Sequence, residues 1–154
     1  MSFLIAGLDP ELFRDLKTLD DAALAERGVQ RVRVEERPAA PCRISLDDAE
    51  IGESVLLLGY DHQPADTPYR QQGPIFVRET SRRFEGVDVV PPALARRTLS
   101  LRGFDAAHMM IEADLVEGAD AAMLVERFFA NPDVAYIHAH YARRGCFAAT
   151  IERA

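Results

Sequence analysis

The sequence predicts an α+β domain: a mostly antiparallel, twisted sheet of roughly eight strands with two or three helices and a C-terminal β-hairpin. Three observations carry this expectation. Short apolar or alternating runs recur along the chain, bounded by Gly, Pro and Asp clusters. One segment alone has a sustained helical stripe. The helical segments do not alternate regularly with the strands, which disfavours a doubly wound parallel sheet.

In chain order, residues 3–7 read as a first strand. Asp9 can cap a short helix with Pro10 at its first position, where proline's missing N–H is not needed. Thr18-Leu19-Asp20-Asp21 has capping-box spacing and opens a helix that Gly28 can end. Residues 29–35 alternate apolar and charged side chains, as a half-buried strand does. Ser45-Leu46-Asp47-Asp48 predicts a brief helical turn, with Gly52 in a tight turn after it. Residues 55–60, 74–78, 98–104 and 108–115 supply four further strands. In residues 121–130, Ala121, Leu124, Val125, Phe128 and Phe129 follow i, i+3, i+4, i+7, i+8 spacing, and Asn131-Pro132 stops the helix. Residues 134–140 and 146–152 form the terminal hairpin. Two connections, residues 61–73 and 80–95, exceed the usual loop length, and Tyr69 in the first can cover a pocket.

The 154 residues fit a single domain, 1–154, large enough to bury its own core. Net charge is −7 and no basic stripe is present, which argues against nucleic acid as a partner. No apolar run reaches membrane-spanning length. Two distant cysteines and no secretory signal predict reduced thiols and a cytoplasmic location. Lys17 is the only lysine among 18 basic residues, a bias that a GC-rich genome explains and that carries no function.

Chemistry concentrates at the end of the chain. Tyr136-Ile137-His138-Ala139-His140 precedes Tyr141-Ala142-Arg143-Arg144-Gly145-Cys146. Alternate strand residues share a face, so His138 and His140 point the same way. Placing Ala135, Ile137 and Ala139 on the core face with Phe147, Ala149 and Ile151 sets Ala139 opposite Phe147 or an equivalent partner on that face. That register brings His140 near Cys146, with Gly145 in a left-handed turn position.

Three readings follow. His138 or His140 can serve as a general base, or activate Cys146 as a nucleophile, making these three the candidate catalytic residues. His138, His140 and Cys146 can ligate zinc, but no fourth ligand is apparent, so no metal set is assigned and no cofactor is implied. The histidines with Arg143 and Arg144 can hold a small anion through forked donors. Against all three stands the plain structural role of sheet histidines and solvated turn arginines.

Elsewhere, Cys42 is expected to be buried, with pairing to Cys146 left open. Arg78 can pair with Glu79 or reach into a cavity. The acids Asp47, Asp48, Glu50 and Glu53 are read as cap and turn chemistry rather than metal ligands, and His108 as a core or edge histidine. There is no dinucleotide fingerprint, Walker phosphate loop or Gly-x-Ser-x-Gly elbow, so those chemistries are disfavoured.

Three segments resemble a bacterial family catalogued only as a domain of unknown function, number 1203. They are Pro41-Cys42-Arg43-Ile44-Ser45-Leu46-Asp47-Asp48-Ala49-Glu50 with residues 52–60, Pro68-Tyr69 with residues 73–78, and His138-Ala139-His140 with residues 142–147. The resemblance implies a stand-alone cytoplasmic bacterial protein and supplies no activity. It lends weight to Cys42, Tyr69, Arg78, His138, His140 and Cys146 as one neighbourhood.

The leading expectation is a small-ligand pocket for an anionic molecule, built by the terminal hairpin, residues 73–78 and the loop around Tyr69. Cys42, Arg43, Tyr69, Arg78, Arg143 and Arg144 are its candidate ligand-binding residues. The competing expectation is a non-enzymatic homodimeric interaction module that uses an exposed sheet edge or an aromatic surface. A zinc-binding protein is the further alternative.

Overall fold

The computed structural model describes all 154 residues, Met1–Ala154. It contains nine strands in two antiparallel sheets and four short α-helices. The strands are β1 (Phe3–Ala6), β2 (Gln30–Arg33), β3 (Ser54–Gln63), β4 (Gln71–Arg78), β5 (Glu85–Val87), β6 (Thr98–Phe104), β7 (Met110–Glu117), β8 (Tyr136–Tyr141) and β9 (Phe147–Arg153). The helices are α1 (Arg14–Lys17), α2 (Asp21–Glu26), α3 (Pro92–Ala95) and α4 (Ala121–Phe129). The larger sheet runs β5-β1-β9-β8-β6-β7 and the smaller β2-β3-β4.

The α+β architecture and the terminal hairpin agree with the sequence pattern. The long connection over residues 80–95 holds an unforeseen ninth strand, β5, which pairs with β1. The other long connection shrinks to residues 64–70, because β3 continues through His62 and Gln63.

The larger sheet has two unlike faces. On β8, Ile137, Ala139 and Tyr141 join the main core, which also takes Leu99 and Leu101 from β6. Helix α4 covers that side with Leu124, Val125, Phe128 and Phe129, the stripe read from the sequence. A nine-residue helix is marginal by itself. Its burial stabilises it, at about 1.5–3 kcal/mol for each large apolar side chain. The opposite face carries His138 and His140, and the smaller sheet packs there. That sheet has its own core, including Leu24, Cys42, Ile44, Leu56, Ile75 and Val77.

Local signals resolve as follows. The Asp9 side chain accepts from Glu11 N at 3.0 Å and opens a 3₁₀ turn at Pro10. Helix α2 is capped by Asp20, which accepts from Ala23 N at 2.8 Å, rather than by Thr18. The helix begins at Asp21, so Asp20 and not Thr18 stands at the N-cap position, from which its carboxylate reaches the N3 amide. Ser45 to Asp48 is not helical; Leu46 is left-handed at φ 52°, and Asp47 Oδ1 accepts from Asp48 N at 2.8 Å.

The acids of this region are bound by arginines, not arranged around an ion. Asp48 has no exposed side-chain surface and meets Arg97 Nη2 at 2.6 Å and Arg96 Nη1 at 3.0 Å. Glu53 Oε2 accepts from Arg78 Nε at 2.9 Å. This ties β3 to the end of β4, and Arg78 therefore pairs with Glu53 and not Glu79.

Truncating Asp48 would strand a buried guanidinium contact. Asp48→Ala is expected to lose about 3–5 kcal/mol of unfolding free energy in urea titration. Arg96→Ala, at a more exposed partner, is expected to lose under about 1 kcal/mol. Equal losses would show that burial does not set the strength of this pair.

Candidate functional site

Three imidazoles converge between the sheets. His138 and His140 project from the same face of β8, and His62 approaches from β3. Their ligand-type nitrogens all lie within 4.8 Å of one another, and all three residues are buried. The ring centroids of His62 and His140 are 5.0 Å apart, and those of His62 and His138 are 6.2 Å apart. The His62 ring stacks on Phe147 at 5.3 Å and 2° between planes.

Breaks in strand register aim these groups. The β3–β4 ladder shifts between Tyr60 and Gln63, the β8–β9 ladder between Ala139 and His140, and the β6–β7 ladder between Gly103 and Phe104. All three borders carry residues of one cavity. A bulge inserts an unpaired residue and redirects the side chains beside it. In β9 the effect is decisive. Ala139 faces Ala149, His140 faces Phe147, and Ala148 joins the main core. Phe147 therefore lies on the histidine side. The expected pairing of Ala139 with Phe147 is thus corrected: alternation was assumed to continue unbroken through β9, and the bulge changes its phase.

The cavity measures about 260 Å³ and is lined by His62, Gln63, Pro68, Tyr69, Arg70, Gln71, Arg102, Phe104, Met110, His138 and His140. No carboxylate lines it, whereas two arginines do. The guanidinium of Arg102 makes one side-chain hydrogen bond, to Gln71 Oε1 at 3.2 Å. A second hollow of about 400 Å³ adjoins on the β9 side and shares His62, Gln63 and His138. Between them the Tyr136 hydroxyl accepts from Gln63 Nε2 at 2.9 Å. The same hydroxyl is hydrogen-bonded to Nδ1 of the exposed His108, 2.8 Å away.

The imidazoles are held neutral. Burial, then the neighbouring His140 and His62 and Arg102, pushes His138 down to about 3. Burial pushes His140 down to about 4, opposed by a bond from its Nδ1 to Gly145 O at 2.9 Å. His62 is lowered by burial and by Arg102. Because a carbonyl only accepts, His140 carries its proton on Nδ1, which leaves a lone pair on Nε2. Nδ1 of His62 and Nδ1 of His138 are buried without any hydrogen-bond partner. Each such orphan costs about 1–3 kcal/mol. These three side chains are the one His/Cys/Asp/Glu group with metal-ligand proximity.

Of the residues expected to form the site, His138, His140 and Tyr69 line the cavity. The others lie outside it. Cys146 packs against the main core, and Arg143 and Arg144 are exposed on the hairpin turn, where Gly145 takes φ 78°. Cys42 is buried in the second core, its Sγ 3.3 Å from the amides of Ile44 and Arg78; both cysteines are free. Arg43 is buried and donates from Nε to Phe147 O at 2.7 Å and from Nη1 to Pro41 O at 2.5 Å. Arg78 is bound to Glu53. Sequence reasoning passed over His62 and Arg102. His62 follows Tyr60 at strand spacing, so continuing that strand would have placed it, and Arg102, within the predicted strand 98–104, lies on the face opposite Leu99 and Leu101.

Fold and site define an α+β protein of two antiparallel sheets with a histidine-lined cavity between them. The chain belongs to the family described as Protein of unknown function (DUF1203), whose model matches residues 39–153. That span contains every residue lining the cavity. No curated protein and no solved structure matches the chain. No helix is long and apolar enough to cross a membrane.

The depressed imidazoles make stability depend on pH. Above about pH 6.5 both folded and unfolded chains hold them neutral. Below it the unfolded chain takes up protons that the folded chain refuses. Stability then falls with pH by up to about 1.4 kcal/mol per unit for each imidazole, until His140 and His138 protonate near 4 and 3. In metal-free protein, His138→Gln is expected to flatten the slope of unfolding free energy between pH 6 and 4 by about one such increment. An unchanged slope would mean that His138 protonates freely in the folded state.

Proposed function

We propose that this is a bacterial cytoplasmic protein that binds a small anionic molecule in the cavity between its sheets. The observation that carries the reading is a charge reversal: an acidic chain of net charge −7 contains a cavity lined by two arginines and no carboxylate. Arg102 lies partly buried there with most of its five donors uncommitted, and a guanidinium matches carboxylate or phosphate oxygens bidentately. Its desolvation strengthens such a contact relative to water. Tyr69 and Arg70 close the outer side on the residue 64–70 connection, a position suited to admitting a ligand. His138 and His140 are neutral, so a lone pair on each ring can accept a hydrogen bond or coordinate an ion, and neither ring carries charge. The free, well-separated cysteines fit a reducing compartment.

The second reading is a homodimer through an open sheet edge. Strand β7 is eight residues long and unpaired on one side, with Ile111 and Leu115 exposed. Glu112, Asp114 and Glu117 on the same strand oppose pairing with an identical copy. Light scattering that shows a stable dimer, abolished by Leu115→Lys, would favour this reading.

Thermal-shift measurements with inorganic phosphate and a panel of small mono- and dicarboxylates test the anion reading. A binder at about tenfold its Kd is expected to raise Tm by about 3–6 °C. Arg102→Gln is expected to remove most of that shift. Silence across the panel, or an equal shift in the Arg102→Gln protein, would refute it.

A further inference from the structure

We infer that His62, His138 and His140 form a three-histidine site for a divalent transition metal of the zinc class, with its remaining coordination position open to the cavity. This deepens the anion reading and rests on the same cavity, although its ligands are independent of Arg102.

The argument begins with placement. His138 and His140 are two residues apart on one strand face, and His62 arrives from a different sheet through a bulge. Three nitrogens within 4.8 Å of one another enclose a space of metal size. With metal–nitrogen bonds of about 2.0–2.1 Å, tetrahedral ligands sit about 3.3 Å apart. Closing the observed set therefore takes ring rotations of the order of an ångström, not backbone movement.

The nitrogens are also in the right chemical state. Imidazole binds metal through a lone pair, which requires the neutral form. All three rings are buried, an environment that favours the neutral form. The bond from His140 Nδ1 to the Gly145 carbonyl fixes the tautomer and ring angle, as backbone carbonyls do behind metal-bound histidines. Two buried, unpartnered nitrogens, on His62 and His138, stand where protein alone leaves them unsatisfied. A coordinated ion would explain why these rings are packed together with so little hydrogen bonding.

Three protein ligands and an open side match a catalytic rather than a structural zinc site. The ligands carry no charge, so the ion keeps both positive charges beside Arg102. A bare cation there is disfavoured by the guanidinium. An ion carrying hydroxide or a substrate oxyanion is not, and one anion can bridge metal and Arg102. The site therefore selects substrates with an anionic oxygen group, and its bound water ionises more readily than bulk water.

The test uses the full chain purified without a metal-affinity tag, stripped with chelator and dialysed against zinc(II) or cobalt(II). The expected result is one metal per chain by elemental analysis, with visible ligand-field bands for cobalt. In the zinc-loaded wild type, ¹⁵N imidazole spectra should move for His62, His138 and His140 and not for His108. His62→Gln and His138→Gln should each weaken zinc binding at least roughly 10- to 100-fold, a range that loss of outer partners alone can reach. Binding well below one per chain, spectral changes confined to His108, or full retention in both variants would overturn the site. Phosphate-induced Tm shifts measured in stripped and loaded wild type separate the two readings. A shift in stripped protein with no metal uptake overturns the metal site and leaves the anion pocket. Metal uptake with no phosphate or carboxylate response supports the metal site and overturns the anion pocket.

Discussion

Phe147 is the joint on which the two sheets turn. Its carbonyl accepts the Arg43 guanidinium from the residue 41–44 segment, and its ring carries the stacked imidazole of His62. The stacking contact needs the ring on the outer face of β9, and the bulge at Ala148 puts it there. Had strict alternation continued, the ring would point toward α4 and displace the Ala149 layer of the main core. Arg43 would keep its partner, but His62 would lose its platform. The phase change therefore docks the smaller sheet and assembles the histidine cluster in one step.

Electrostatics follow the same division of labour. Arginines answer the less exposed acids, Asp48 by Arg96 and Arg97 and Glu53 by Arg78, and on the surface Arg127 meets Asp114. Tyr141 shows how far burial dominates elsewhere. Two guanidinium groups lie within 5.2 Å of its ring, yet desolvation still pushes its hydroxyl up to about 12. Arg102 has no acid partner, and its one side-chain hydrogen bond goes to the Gln71 amide oxygen. The positive character of the cavity thus comes from what is missing around it, not from an unusual density of basic residues.

Periodicity made much of this fold legible. The α4 stripe from Ala121 to Phe129 appears in the structure residue for residue, and β6 spans the expected residues 98–104. Glycine chemistry at Gly28, Gly52 and Gly145 also resolves as positive φ. The pairing of His138 with His140 on one face needed only the period of two. What escaped were the events that interrupt a period. A bulge leaves no mark in alternation, so Cys146 was drawn toward the histidines and Phe147 away from them. Asp61 between Tyr60 and His62 read as loop chemistry, although β3 runs on through it. Arginine roles were hidden because a guanidinium's partner is a matter of tertiary distance: Arg78 finds Glu53 twenty-five residues away, while Arg143 and Arg144 find solvent.

The histidine cluster is split along the chain, with one member at position 62 and two at 138 and 140. During synthesis the first imidazole leaves the ribosome long before its companions, and the ring that supports it, Phe147, emerges later still. The cavity therefore cannot be completed before residue 147 has been made. Chains that stop short of Phe147 present no such hollow, so anything captured there is captured only after the terminal hairpin has been made.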